Sequence, residues 1–271
     1  MKTPPCVMVI AGSDSSGGAG IQADIRTITM LGGYAMTAIT AITAQNTTGV
    51  QKSVALPADL VVAQFTSAAG DIGVDAVKLG MLGSPQVADA VAGLLADLPP
   101  ATPVVFDPVM AASTGDALNE DGTVAAMRAI ADRATLITPN LPELAALTGM
   151  TVEGEEAILA AARQLAERHD LAVLAKGGHA AGRTMTDRLV MPDGAVRTYT
   201  HPRIETRHTH GTGCTTASAI ATGLGADLPL EEAVRRALDF VHAALLAAPG
   251  LGAGQGPLGH QAVREDSAPG S

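Results

Sequence analysis

Short apolar runs alternate with longer stretches whose apolar residues recur every three or four positions in this sequence of 271 residues. Residues 7–11 and 104–107 have the length and composition of buried strands, and residues 85–95 have the spacing of an amphipathic helix. Strands that alternate with helices in this way call for a mostly parallel sheet covered on both faces. The pattern therefore predicts an α/β fold, a single-domain three-layer sandwich.

The other predicted elements continue this alternation along the chain. Further strands are predicted at residues 34–44, 50–56, 76–81, 136–138 and 172–176, with an edge hairpin at residues 185–191 and 196–200. Further helices are predicted at residues 21–31, from Pro57, at 123–132, twice within 141–168, after Cys214 and at 230–247. One domain is expected over residues 1–259, followed by a disordered tail over residues 260–271.

Charge and composition narrow the function classes. The formal net charge is -10 and aromatic residues make up 2% of the chain, so the basic surface and stacking platforms of nucleic-acid binding are missing. We find no apolar run long enough to span a membrane and no signal-peptide pattern, so no membrane partner is expected. Cys6 and Cys214 have neither disulfide nor metal-ligand spacing, which favours a cytoplasmic protein.

A glycine-rich turn, residues 210–215 (HGTGCT), leads into a helix of small residues. The free backbone N–H groups at such a helix N-terminus, together with the helix dipole, favour a phosphate or a developing anion. Cys214 would lie in the first turn, where we expect its pKa to be lowered. The alternative is a glycine-rich loop whose cysteine packs as a small hydrophobic residue.

Polar residues follow most of the predicted strands, at the sheet edge where open α/β folds bind ligands. Each has a structural alternative. Gln45 and His210 could be polar residues satisfied within the fold, Asp107 could hold a turn, and Lys176 could be a solvated strand end. Residues 140–143 have the spacing of a capping box. A site would be absent only if all of these structural alternatives held at the same sheet edge. The residues taken together therefore favour a functional site there.

Seven motifs, in order, resemble the hydroxymethylpyrimidine/phosphomethylpyrimidine kinases of thiamine biosynthesis, in the ribokinase-like superfamily. The resemblance covers residues 7–259 and extends to a C-terminal GQGP at residues 254–257. The motifs are AGSDSSGGAGIQAD at residues 11–24, TAQN at 43–46, KLGM at 78–81, DPVM at 107–110, TPNLPE at 138–143, KGGH at 176–179 and THGTGCT at 209–215.

The resemblance implies a ribokinase-like fold, ATP and Mg²⁺ as co-reactants, and a homodimer. It also implies two successive phosphorylations, first of the hydroxyl group of 4-amino-5-hydroxymethyl-2-methylpyrimidine and then of the resulting monophosphate.

The resemblance also assigns roles to residues of this chain. In the substrate site, Gln45 would pair with the aminopyrimidine edge, the ring would be walled by Gly12, Ala19, Met81 and Val109, and Asp24 would contribute as well. The residues implied for Mg²⁺ are Asp107 and Glu143, and those implied for the nucleotide and its phosphates are Asn140, Lys176, His210, Thr212 and Gly213. The catalytic residues implied are Lys176, the anion hole from Gly211 to Gly213, and Cys214 at the position of the catalytic base, with Asp24 as the next candidate for that base.

Two other functions stay open at this point. One is a pyridoxal or pyridoxine kinase of the same superfamily, and the other is a nucleotide-binding relative without turnover, against which the intact Asp107, Lys176 and Cys214 argue. The chain departs from the family's pattern at His208, and at Ser113 and Thr114, which leaves the phosphate contacts of the latter loop open.

Overall fold

A computed structural model of the chain describes residues 3–110, 122–177 and 183–263. The strands in this part are numbered β1 to β9 in chain order. They are Cys6–Asp14, Tyr34–Asn46, Gly49–Ala55, Ala76–Leu79, Val104–Phe106, Leu136–Ile137, Ala172–Ala175, Thr184–Val190 and Val196–Pro202. Helices α1 to α8 are Gly20–Met30, Ala58–Ile72, Pro85–Ala96, Thr123–Ala131, Leu141–Thr148, Glu155–His169, Thr212–Gly225 and Leu230–Leu246.

The described strands form one sheet with the order β3-β2-β1-β4-β5-β6-β7-β8-β9. Pairing is parallel from β2 through β7, whereas β3, β8 and β9 add to the two edges in antiparallel fashion. The predicted α/β class and the edge hairpin are therefore confirmed. Strand β2 runs to Asn46, beyond the predicted end at residue 44, so Gln45 lies within the β2–β3 ribbon.

Helices cover both faces of the sheet because alternate residues of its central strands point to opposite sides. In β1, Met8 and Ile10 belong to the apolar cluster formed with α2 to α6. Val7 and Val9 belong to the cluster formed with α1, α7 and α8. All four side chains are fully buried. Two helical layers and one sheet leave the carboxyl edge of the parallel strands open to ligands.

The fold continues past the predicted end of the domain. Residues His260–Ala262 form a short 3₁₀ helix, and the His260 side chain is fully buried with Nε2 2.8 Å from Thr215 Oγ1 of α7. The prediction that a disordered tail begins at residue 260 is therefore wrong, because His260 packs behind the helix that carries Cys214. Residues 264–271 lie outside the described part of the chain.

A buried ion pair connects the sheet to the layer of α1, α7 and α8. Lys78 of β4 places Nζ 2.8 Å from Asp24 Oδ2 of α1, and Ser218 of α7 donates to Asp24 Oδ1 at 2.7 Å. Both charged side chains are fully buried. Removing one member of such a pair leaves an uncompensated charge and costs about 3–5 kcal/mol. Three elements are thus fixed relative to one another beneath the sheet edge.

We searched the described helices for a membrane span, and none is long and apolar enough to serve as one.

Buried His260 predicts a specific loss of stability in acid. Burial, with the charge of Arg26 adding to it, lowers the pKa of His260 to about 4, below its ordinary value of 6.5. The unfolded chain therefore binds a proton that the folded chain excludes, so stability is lost as pH falls from about 6.5 towards 4. The expected loss at His260 between pH 7 and pH 5 is about 2 kcal/mol of unfolding free energy.

Chemical denaturation of wild type, His260→Asn and His242→Asn at both pH values measures this effect. His260→Asn should lose less stability than wild type on acidification, whereas His242→Asn, on the half-buried side of α8, should follow wild type. Equal pH dependence in all three proteins would contradict the assignment.

Candidate active site

A cavity of about 740 Å³ opens at the carboxyl edge of the parallel strands. It brings together nearly all the site residues predicted from the sequence. Those that line it are Gly12, Ala19, Gln45, Met81, Asp107, Val109, Asn140, Glu143, Lys176, His210, Gly211, Thr212, Gly213 and Cys214. Strand-end residues far apart in sequence thus meet at one site. Gly178, His179, Ser113 and Thr114 lie outside the described residues.

An ion pair between two strand ends forms the centre of the cavity. Asp107 follows β5 and is almost fully buried, and its Oδ1 lies 2.9 Å from Nζ of Lys176, which follows β7. Thr138, after β6, donates to the same oxygen at 3.1 Å. Burial alone would lower the pKa of Lys176, but the carboxylates of Asp107 and Glu143 outweigh it and raise that pKa. Lys176 is therefore a permanent cation inside the cavity.

Glu143 takes part in a capping box and also faces the cavity. Asn140 is the N-cap of α5: its Oδ1 accepts from Glu143 N at 2.9 Å, and its backbone N–H donates to Glu143 Oε2 at 2.8 Å. The predicted capping box is therefore confirmed, and the same glutamate also lines the cavity. Burial, together with the charge of Asp107, raises the pKa of Glu143 to about 7 against the opposing effect of Lys176.

Asp107 and Glu143 form a donor set that suits Mg²⁺. Both are buried carboxylates lining one cavity, and a divalent cation would relieve the mutual repulsion that raises the pKa of Glu143. In the described part of the chain, no group of three or more His, Cys, Asp or Glu side chains is placed to hold a metal. Two carboxylates fit a cation that keeps several waters and binds mainly substrate phosphates.

The N-terminus of α7 lies directly against the Asp107–Lys176 pair. Gly211 is its N-cap with φ of 88°, a left-handed conformation that favours glycine. At Gly213, an added Cβ would lie 3.1 Å from Asp107 Oδ2 and 3.2 Å from Lys176 Nζ. Gly211 therefore excludes a side chain, because a Cβ there would collide with the Gly18 carbonyl oxygen, whereas a Cβ at Gly213 would require the ion pair to shift by a few tenths of an ångström. Gly211 to Gly213 line the cavity at the N-terminus of α7, where backbone N–H groups favour an anion.

Cys214 lies in the first turn of α7, as predicted, but its predicted low pKa is wrong. Burial raises the pKa of the thiol to about 12. The Lys78 ammonium group and the Gly20 backbone N–H oppose this rise, whereas the charges of Asp24 and Asp107 add to it. Desolvation of a thiolate outweighs the helix N-terminus here, so Cys214 is a neutral thiol at pH 7.

Asp24 is a second correction. It does not line the cavity, because its carboxylate is fully buried in the pair with Lys78. The side chain is therefore not available to bind substrate or to take a proton from it.

His210 lines the cavity, but its ring has a protein partner. Nε2 lies 2.8 Å from Asp14 Oδ2, and both side chains are buried. The contact assigns this nitrogen to Asp14 rather than to a nucleotide, which changes the predicted role of His210.

Gln45 lines the cavity at the end of β2. The residue is half-buried, its Oε1 lies 3.1 Å from Thr43 Oγ1, and its backbone exchanges two hydrogen bonds with the Ser15 side chain. Beside it, Gly12 packs so closely on Met81 that a Cβ would meet the methionine methyl group at 2.6 Å. Gln45, Gly12 and Met81 thus line one part of the cavity with an amide and with apolar groups.

Three polar residues of the site lacked an assigned role in the sequence. Asp14 is a buried acceptor in the Gly/Ser loop, Lys78 pairs with Asp24, and Asp187 of β8 lines the cavity and accepts from Gly177 N at 2.8 Å. Asp14 and Lys78 each lie inside one of the seven motifs, which marked them as candidates without indicating what they do. Asp187 lies in the predicted edge hairpin, where the alternating pattern carried no sign of a site.

Comparison with known proteins adds a family to this geometry. A family model described as phosphomethylpyrimidine kinase matches residues 14–259. A hydroxymethylpyrimidine/phosphomethylpyrimidine kinase of Streptomyces coelicolor is 45% identical over 260 residues, 95% of each chain. The structure of phosphomethylpyrimidine kinase from Clostridium difficile superimposes with a TM-score of 0.77 at 34% identity, covering 88% of this chain and 98% of that one.

Pyridoxal kinase is also among the structural relatives. The Staphylococcus aureus enzyme in complex with AMP-PCP and pyridoxal superimposes with a TM-score of 0.86 at 31% identity, covering 95% of this chain and 94% of that one. The same fold therefore occurs in a phosphomethylpyrimidine kinase and in a pyridoxal kinase.

The high pKa of Cys214 predicts slow alkylation. In a Cys6→Ser background, iodoacetamide at pH 7.5 should modify the folded protein at least about tenfold more slowly than a cysteine peptide, since the thiolate is the reactive form. The rate should keep rising beyond pH 9. The same protein in denaturant should react at the peptide rate, and a folded-state rate that levels off below pH 8 would contradict the assignment.

Proposed function

Since this chain belongs to the phosphomethylpyrimidine kinase family, we propose that it transfers the γ-phosphoryl group of ATP to 4-amino-5-hydroxymethyl-2-methylpyrimidine and then to the monophosphate product, in thiamine biosynthesis. The observation that carries the proposal is one cavity that is lined by the Gln45 amide, by apolar side chains of α8, and by Asp107, Lys176 and the N-terminus of α7. Phosphoryl transfer requires that arrangement, with acceptor and donor in line across a group that neutralises charge.

We assign the pyrimidine to the part of the cavity that is lined by Gln45. Gln45 presents a side-chain amide, which donates and accepts along one edge of a heterocycle and so suits an aminopyrimidine. Gly12, Ala19, Met81 and Val109 enclose the ring with small and apolar groups. The hydroxymethyl group then points to the first turn of α7.

We assign the nucleotide to another part of the cavity. Its lining is apolar and comes from the segment before α7 and from helix α8: Ile204, Leu238, Val241 and Leu245. An adenine ring can bury both faces against such side chains. Thr212 and Asn140 also line the cavity, and we assign them to the phosphates. His210 contributes its backbone and its contact with Asp14 rather than a direct ligand contact.

The transferred phosphoryl group is stabilised at the ion pair. The N-terminus of α7 at Gly211 to Gly213 and the Lys176 ammonium group both line the cavity there, and both favour the charge on its three equatorial oxygens. The negative charge of the phosphates competes with Asp107 for Lys176, so Lys176 can move between the two without leaving the cavity.

Asp107 and Glu143 would hold Mg²⁺, directly or through water. When bound, this ion neutralises the phosphate oxygens and makes the triphosphate compatible with nearby carboxylates. In the absence of the ion, the raised pKa of Glu143 allows its carboxyl group to take up a proton near neutral pH.

Cys214 lies where the acceptor hydroxyl group would meet the phosphoryl group. As a neutral thiol it accepts a weak hydrogen bond through Sγ and orients the hydroxyl oxygen. In a loose transition state the hydroxyl proton leaves late, and the transferred phosphoryl oxygens are basic enough to hold it. The role we propose for Cys214 is thus narrower than that of a thiolate base.

Pyridoxal is the second candidate acceptor, because the Staphylococcus aureus kinase that superimposes on this chain was solved with pyridoxal bound. Pyridoxal has a pyridine nitrogen but no amino group next to a ring nitrogen, which is the edge that an amide such as Gln45 pairs with. The pyrimidine is therefore the preferred substrate, and pyridoxal is a slower one.

We further propose a cytoplasmic homodimer. Ile42 of β2 and Val54 of β3 lie opposite each other in the register and are each about half exposed, which leaves an apolar patch on the outer ribbon for a second copy. The unpaired Cys6 and Cys214 suit a reducing compartment. A monomer in sedimentation velocity at micromolar concentration would contradict the dimer.

Turnover with the two alcohols tests the proposed function. ADP release and phosphorylated product should appear with the pyrimidine alcohol, with a kcat/KM at least about tenfold higher than with pyridoxal, because pyridoxal does not pair with both the donor and the acceptor of the half-buried Gln45 amide. Excess chelator should abolish both reactions. A higher kcat/KM for pyridoxal would reverse the assignment, and binding of ATP without turnover of either alcohol would indicate a non-catalytic relative.

A further inference from the structure

The buried carboxylate of Asp14 organises the loop that follows β1. Its Oδ1 accepts from the backbone N–H of Ser16 at 2.8 Å. Its Oδ2 accepts from the backbone N–H groups of Gly18 at 3.0 Å and Ala19 at 2.8 Å. One side chain therefore satisfies three backbone donors and fixes the conformation of a glycine-rich loop that would otherwise be mobile. Ala19, at the end of this loop, lines the cavity in the part that we assign to the pyrimidine.

The same carboxylate also bonds the loop that leads into α7. His210 Nε2 lies 2.8 Å from Asp14 Oδ2, across 196 residues of sequence. On the other side, the backbone N–H of His210 donates to Gly256 O at 3.1 Å. The next residue, Gly211, is the N-cap of α7 and starts the anion hole. A single side-chain contact thus connects the wall of the acceptor compartment to the first turn of α7.

Packing between the two loops leaves little room for any other arrangement. A Cβ on Gly18 would collide with Cδ2 of the His210 ring, and a Cβ on Gly211 would collide with the carbonyl oxygen of Gly18. The loops therefore touch at backbone distance on both sides of the Asp14–His210 contact. Glycine at both positions is required by this close approach.

The chemistry of the contact fixes the state of both groups. Burial alone would raise the pKa of Asp14, but hydrogen bonds from His210, Ser16 and Ala19 outweigh it and lower that pKa. Asp14 is therefore an ionised acceptor, so His210 must carry its proton on Nε2 to donate to it. Because donor, acceptor and tautomer are all defined, the contact has one geometry.

We propose that Asp14 and His210 are positioning residues that hold the acceptor wall and the anion hole in register for in-line transfer. Neither residue acts on the reacting atoms: Asp14 acts through the loop ending at Ala19, and His210 acts through Gly211. A displacement of about 1 Å between the two compartments costs on the order of 10²-fold in rate, even when each compartment still binds its ligand. This inference rests on the proposed kinase function.

Three variants separate positioning from folding: His210→Ala, His210→Gln and Asp14→Asn. His210→Ala and Asp14→Asn should each lower kcat for pyrimidine phosphorylation about 10²-fold, raise the KM for the pyrimidine, and leave the Kd for ADP within about twofold. A larger share of the ADP should form by hydrolysis without phosphorylated pyrimidine, because water does not depend on the alignment. His210→Gln, whose amide nitrogen replaces Nε2, should recover at least about tenfold of the lost kcat.

Two further measurements make the test decisive. The double variant should be no worse than Asp14→Asn alone, since that substitution already breaks the contact with His210. His242→Ala, a histidine change on α8 outside the cavity lining, should keep wild-type kcat. The proposal would be overturned if His210→Ala kept the wild-type kcat and the wild-type ratio of phosphorylated pyrimidine to ADP. It would also be overturned if this variant lost melting temperature and nothing else.

Hydrogen exchange distinguishes failure of this inference from failure of the proposed function. In His210→Ala the amides of Gly18 and Ala19 should exchange at least about tenfold faster than in wild type, whatever the acceptor alcohol is. Unchanged exchange would overturn the coupling of the loops. Absence of pyrimidine turnover in the wild-type protein would instead overturn the proposed function.

Discussion

The site depends on one close approach, between the backbone at the start of α7 and the ion pair of Asp107 with Lys176. The two charged residues follow β5 and β7, so the parallel sheet brings them to the same edge. Helix α7 then crosses that edge with no side chain at Gly213, where a Cβ would lie about as close to the ion pair as a hydrogen bond. Backbone donors, a cation and a carboxylate are therefore concentrated in one small volume. A phosphoryl group in transfer needs that combination.

Buried charge beneath α7 fixes the helix in this position. The Lys78–Asp24 pair and Ser218 connect β4, α1 and α7 inside the apolar layer, at a depth where each unpaired group would be costly. Their charges also reach Cys214: the Lys78 ammonium group stabilises a thiolate, whereas Asp24 and Asp107 oppose it, and burial adds to the opposition. In the mechanism that we propose, the residue at the position of a catalytic base is consequently a neutral thiol, and transfer relies more on alignment and charge neutralisation than on a strong base.

The sequence predicted the alternation of elements and most of the cavity lining, because both follow from local patterns. Buried strands read as apolar runs, and in a parallel sheet the residues just after them share one edge by geometry. The errors concern partners distant in sequence. Asp24 looked like a site residue because its partner Lys78, 54 positions away, had no assigned role. His210 looked like a nucleotide ligand because its contact with Asp14 spans 196 positions.

The other two errors concern the strength of burial. At Cys214 the helix N-terminus was expected to dominate, but a partial charge at a helix end is worth about 1 kcal/mol, less than the desolvation of a buried thiolate. At His260 composition suggested a disordered tail, whereas one histidine packed against Thr215 and Phe240 holds the chain to α7 and α8. Neither balance can be read from local sequence, because it depends on which atoms exclude water from the group.

The central claim, that phosphoryl transfer takes place where Gly213 meets the Asp107–Lys176 pair, is tested most directly by kcat of Gly213→Ala beside Gly93→Ala. Gly93 lies within α3, where an added Cβ meets no heavy atom within 4 Å, so this control should keep wild-type kcat. In Gly213→Ala the methyl group would lie 3.1 Å from Asp107 Oδ2 and 3.2 Å from Lys176 Nζ, so the ion pair or the helix N-terminus must shift by a few tenths of an ångström. The account predicts a fall in kcat on the order of 10²-fold or more, with pyrimidine affinity nearly unchanged. Equal kcat in the two variants would contradict it.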